Sequence, residues 1–106
     1  MSELVAKQCD FTLKIARLIL YANGKNYGLT FGEGYDDDGV GHMKGSTHYV
    51  RLGQDFNLAK GGTIVENKSE VDLIFGLLHD QWDLMGGAER IAGDLGHFSF
   101  SYQGRR

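Results

Sequence analysis

His48 and Asp55 stand seven residues apart in the stretch Ser46-Thr47-His48-Tyr49-Val50-Arg51-Leu52-Gly53-Gln54-Asp55. An imidazole nitrogen and a carboxylate oxygen are both good zinc ligands, so this segment offers half of a metal site. Near the other end of the chain, Asp94-Leu95-Gly96-His97 brings a second such pair. A catalytic zinc centre takes three protein ligands, leaves a fourth position to water and keeps a base beside that water. His48, Asp55 and His97 are the three candidate ligands. Asp94 is the candidate acid/base, able to carry a proton from water to a leaving amine. By spacing alone, the same side chains also suit ordinary surface or hydrogen-bonded roles.

The elements must bring these residues together. Positions an odd number apart on a straight strand face opposite ways, so His48 and Asp55 can share a metal only if the chain bends between them. Gly53, with the break before a strand over 54–58, is the expected bend. Residues 3–21 read as an amphipathic helix capped by Ser2, with Val5, Cys9, Leu13, Ala16 and Leu20 as its apolar stripe. On that stripe Cys9 is expected to be a buried small hydrophobe. Ala22-Asn23-Gly24 is the expected stop. Residues 27–31 form a short β candidate, and 32–45 a glycine-rich loop carrying Asp36, Asp37 and Asp38, which read as a solvated acidic turn rather than a calcium loop. Lys60-Gly61-Gly62 reads as a hairpin turn into a strand over 63–66. Ser69 followed by Asp72 resembles a capping box opening a helix over 70–84, with Val71, Ile74, Leu77, Leu78 and Trp82 inside and Gly86-Gly87 ending it. Phe98 and Phe100 alternate with Ser99 and Ser101 as in a half-buried strand that His97 begins. The pattern predicts a small α+β domain: a single, mostly antiparallel sheet with two main helices packed on it.

Composition sets outer limits. The chain has 106 residues, expected to form one domain over 1–106, with 42% hydrophobic and 24% charged residues, the balance of a globular protein. A net charge of −3 gives no pull toward nucleic acid, and Arg105-Arg106 is too short to change that. Cys9 is the single cysteine, so neither an intramolecular disulfide nor a cysteine-based zinc cluster is available. No signal-peptide pattern follows Met1, and no apolar run approaches the ~20 residues that span a bilayer. The expectation is a monomer made in the cytoplasm, without stable membrane insertion, that something else must release if it acts elsewhere.

The motif residues carry a resemblance. Ser46-x-His48 followed by Asp55 is similar to the Ser-x-His-x-x-Gly-x-Ala-x-Asp motif of the zinc D-alanyl-D-alanine peptidase family, which includes hedgehog-like domains. His48-x-x-Arg51-Leu52-Gly53-x-Asp55-x-Asn57-Leu58 resembles the His-x-x-Arg-Leu-Ala-x-Asp-Leu-Asn-Leu stretch of small phage endolysins that are L-alanyl-D-glutamate endopeptidases. Gly86-Gly87 and Asp94-x-x-His97-Phe98-Ser99 resemble their C-terminal end, and the first helix resembles theirs. The resemblance implies a hedgehog or D-Ala-D-Ala peptidase-like fold. It also implies hydrolysis of a bond in the bacterial peptidoglycan stem peptide during host lysis, with one Zn2+ per chain on His48, Asp55 and His97, and with Asp94 as acid/base. Many relatives carry Glu at the position of Asp94, one methylene longer. They also carry an arginine after a tyrosine ahead of the first histidine, where this chain has Tyr35 followed by three aspartates. Arg51, Ser46 and His42 are the candidate substrate-binding residues, with Lys44 the other nearby cation. His79 matches no motif and reads as structural, as does Trp82. Two other readings stand beside the endopeptidase: a D-alanyl-D-alanine carboxypeptidase, and a zinc-stabilised, non-catalytic cell-wall or protein-binding domain.

Overall fold

The structure, a computed structural model, describes residues 2–32, 51–91 and 93–103. It contains two helices and an open, four-stranded antiparallel sheet. The elements run α1 (Glu3–Gly24), β1 (Gly28–Phe31), β2 (Gly53–Lys60), β3 (Thr63–Ile64), α2 (Lys68–Leu84) and β4 (His97–Ser99). This is the small α+β domain that the patterning predicts.

The sheet is organised around β2, which pairs with each of the other strands. β1 lies along it from Gly28 opposite Ala59 to Phe31 opposite Phe56. β3 folds back over the Gly61-Gly62 turn, where both glycines have positive φ, to set Ile64 opposite Ala59. β4 pairs with the start of β2 and places His97 directly opposite Asp55. No described helix is long and apolar enough to cross a membrane.

Helix α1 starts as expected, with the Ser2 hydroxyl accepting from the Val5 amide at 3.1 Å. Its buried face is a different one. Phe11, Ile15, Leu18 and Ala22 lie inside, at spacings of four, three and four, whereas Leu13 is 48% and Leu20 68% exposed. Cys9 is exposed too, contrary to the expectation. Both stripes obey helical periodicity, and the aromatic ring decides between them: Phe11 packs edge-on against Trp82 and Phe100, at 5.8 and 5.5 Å between centroids.

Helix α2 begins two residues earlier than Ser69 suggests. The Asn67 side chain caps it by accepting from the Glu70 amide at 2.9 Å. Asn67-x-x-Glu70 is the better capping pair. The Glu70 carboxylate accepts from the Tyr27 hydroxyl at 2.6 Å, tying the first turn of α2 to the entry of β1. Ile74, Phe75, Leu78, His79 and Trp82 are the buried residues of α2.

The core joins these faces to Phe56, Leu58, Phe98 and Phe100. Trp82 is fully buried, and its Nε1–H donates to the Ser99 carbonyl at 2.8 Å. That carbonyl also accepts from the Ala88 amide at 2.8 Å. Ser99 is therefore buried along with its neighbours, not on a solvated face as alternation predicts. A Cβ on Gly87 would overlap the Trp82 indole, which gives the second of the helix-ending glycines its reason.

Candidate metal centre

Asp55, Asp94 and His97 converge. One ligand atom from each lies within 4.8 Å of the others. Ladder register and one turn suffice to build this group. His97 faces Asp55 across the β2–β4 pair, so both side chains leave the same side of the sheet. His97 Nδ1 stands 2.9 Å from Asp55 Oδ1. His97 is buried and Asp55 partly so, while Asp94 is exposed.

Asp94 arrives on the turn that precedes β4. Its amide donates to Ile91 O at 3.0 Å, and its own carbonyl takes the His97 amide at 3.4 Å. The turn is pressed onto β2 at Gly96: the Phe56 amide donates to Gly96 O at 2.9 Å, and a Cβ on Gly96 would collide with the Phe56 carbonyl oxygen. Glycine is thus required in Asp94-Leu95-Gly96-His97 by close approach of two backbones.

One imidazole and two carboxylates suit a divalent cation in both donor type and charge. Ligands held tetrahedrally at ~2.1 Å from zinc stand ~3.4 Å apart. The 2.9 Å Asp55–His97 pair would open only slightly to admit the ion, exchanging the proton between them for the metal. The residues fit the group.

Three of the sequence candidates, His48, Ser46 and His42, fall outside the described residues, as do Lys44 and the run Asp36–Asp38. Arg51 is described, and its φ of 58° makes it the left-handed residue ahead of β2. The bend expected at Gly53 thus falls two residues earlier, with Gly53 already the first residue of the strand. Arg51 lines a groove with Val5, Gln8, Cys9, Thr12, Leu13 and Ala16 of α1. Asp55 and Asp94 line another, a cleft of about 330 Å³ whose walls include Phe56, Leu58, Val65 and Phe75. That volume is at the lower end for small-molecule and peptide sites.

Spacing alone did not single out His79 as part of this neighbourhood. It is 1% exposed, and its Nε2 lies 2.8 Å from the carbonyl oxygen of Leu95, between Asp94 and Gly96. A carbonyl only accepts, so Nε2 carries a hydrogen and is the donor. Nδ1 is buried and has no hydrogen-bond partner among the described residues. The ring stacks on Phe98 at 4.1 Å and 13°. Burial pushes its pKa below the usual 6.5. The Arg90 and His97 charges push the same way, against the Leu95 hydrogen bond and Asp83. The only sequence signal was a histidine at a buried position of an otherwise apolar helix face.

Comparison of the chain with protein-family models, with curated proteins and with solved structures returns no match.

Proposed function

We propose that this protein is a zinc-dependent peptidoglycan peptidase of the endolysin type, hydrolysing an internal bond of the stem peptide, L-alanyl-D-glutamate. The observation that carries this reading is the convergence of Asp55, Asp94 and His97, from two distant parts of the chain, within 4.8 Å. Asp55 and His97 serve as metal ligands, with His48 the third. Zinc held there supplies Lewis acidity and lowers the pKa of a water to about 7. Asp94, exposed at the rim, takes a proton from the attacking water on a carboxylate oxygen. It passes that proton to the amine nitrogen as the C–N bond breaks, and the water oxygen stays on the carbonyl carbon as the new carboxylate. The cleft beside Asp94 holds the peptide next to the scissile bond, with Val65 and Phe75 excluding water from its apolar part.

The resemblance of the two motif segments supports the choice of substrate. In the cell the enzyme acts as a monomer on the wall after release across the membrane. Among the described lining residues the cleft carries two carboxylates and no cation. This favours an internal peptide bond over the free C-terminal carboxylate that a D-alanyl-D-alanine carboxypeptidase must hold.

A defined stem-peptide substrate and its cleavage products, resolved by mass spectrometry, test the reading. Cleavage between alanine and glutamate that stops on chelation and returns with zinc supports it. A chain that loads zinc yet leaves every stem-peptide bond intact contradicts it, and leaves the zinc-stabilised binding domain.

A further inference from the structure

We infer that His79 is the positioning residue of the metal centre, acting from α2 through the Leu95 carbonyl on the turn that carries Asp94 and His97. The inference rests on the metal-centre reading for its role, and on geometry independent of that reading for its existence.

Four observations converge on that turn. His79 Nε2–H donates to Leu95 O at 2.8 Å, which fixes the Leu95–Gly96 peptide plane. The Phe56 amide donates to Gly96 O at 2.9 Å and fixes the next plane. The His79 ring lies flat on Phe98, the residue after His97. His97 itself meets Asp55 at 2.9 Å. The backbone between acid/base and ligand is therefore clamped from β2 on one side and from α2 on the other. Of these clamps, only His79 is a side chain whose chemistry a substitution can remove without touching a ligand.

Apolar packing alone gives no reason for an imidazole here. Leucine or phenylalanine would fill a fully buried place on α2 without stranding a ring nitrogen, and an unmatched buried polar atom is destabilising. The hydrogen bond to Leu95 is the one polar contact the ring makes among the described residues. Partners that orient ligands in this indirect way commonly matter 10- to 100-fold for metal affinity.

The test compares His79→Leu, which removes the donor, with His79→Gln, whose amide nitrogen can reach the place of Nε2. Zn2+ affinity is measured by competition with a chromophoric chelator. The His97 imidazole and the Gly96 and His97 amides are followed by NMR without metal. The expected result is a loss of ~10- to 100-fold in Zn2+ affinity for His79→Leu, displaced His97 signals, and recovery of most of both in His79→Gln. The inference is overturned if folded His79→Leu keeps wild-type affinity and wild-type His97 signals, because His79 then only fills space. It is equally overturned if His79→Gln folds but restores neither. Should the wild-type chain take up no zinc, the metal reading fails on its own, and the metal-free His97 signals still decide whether His79 positions the turn. If His79→Leu does not fold, His79→Gln against wild type carries the same decision.

Discussion

His97 Nδ1 and Asp55 Oδ1 are 2.9 Å apart across 42 residues of sequence, and strand register alone puts them there. The two residues are directly opposed in an antiparallel pair, where neighbouring side chains share a face. A slip of one residue would send one of them to the other side of the sheet. The candidate centre is thus as well fixed as the β2–β4 ladder.

Asp55→Asn keeps the shape and a hydrogen-bonding oxygen but removes the charge and the preferred ligand. Zn2+ affinity is expected to fall by more than ~100-fold, beyond what indirect partners cost. The far-UV spectrum and metal-free Tm should stay close to wild type. Calorimetric titration with Zn2+ checks the first expectation and a thermal melt the second.

Asp94→Asn separates chemistry from binding. As the acid/base, Asp94 should be worth about 10²- to 10⁴-fold in kcat, with one zinc still bound. Asp94→Glu lengthens the side chain by one methylene and should retain turnover within ~10-fold, since a carboxylate on this exposed turn has room to reach the same water. Steady-state cleavage of a synthetic stem peptide measures both. Undiminished turnover in Asp94→Asn would remove Asp94 from the mechanism.

Gly96→Ala drives a methyl group into the Phe56 carbonyl oxygen. Backbone is the obstacle, so relief requires the turn to lift off β2, at a cost of about 1–3 kcal/mol. Denaturant unfolding should show that loss, and zinc affinity should fall with it because Asp94 and His97 move with the turn.

The pH dependence follows from His79. Its pKa is lowered in the fold chiefly by burial. Its contribution to stability is therefore fully present above its unfolded value of 6.5 and is lost as pH falls from there toward the folded pKa. In that window the unfolded chain takes up a proton that the native ring refuses, at roughly 1 kcal/mol per pH unit. Arg90 and His97 act with burial, while Asp83 and the Leu95 carbonyl oppose it. Metal-free melts from about pH 7.5 down to about pH 5.5 should show a steeper decline for wild type than for His79→Gln, which has nothing to titrate there. Parallel curves would mean that His79 ionises as freely in the fold as in the unfolded chain.

What could be read from the sequence divides by physical cause. Local signals held: the Ser2 cap and the Gly61-Gly62 hairpin depend on neighbours a few residues away. Choices between equivalent local patterns did not. Helix α1 has two apolar stripes, and only the tertiary partners of Phe11 select the one through Ile15 and Leu18. Asn67 takes the cap position instead of Ser69, its side chain accepting from the Glu70 amide. Ser99 is buried because its carbonyl serves both Trp82 and Ala88. In the site, Asp55 and His97 were legible as ligands and Asp94 as an acid/base, and the structure brings these three together. His79 was not, because its role passes through a backbone carbonyl that no motif encodes.

The most direct measurement is the metal content of the purified protein, paired with its lysis of outer-membrane-permeabilised bacteria before and after chelation. The account predicts about one zinc per chain, the stoichiometry of a three-ligand catalytic site, with lysis abolished by the chelator and restored by added zinc. A protein that holds no metal and gains no thermal stability from added zinc would contradict it, leaving the Asp55–His97 contact an ordinary hydrogen bond in a small α+β domain.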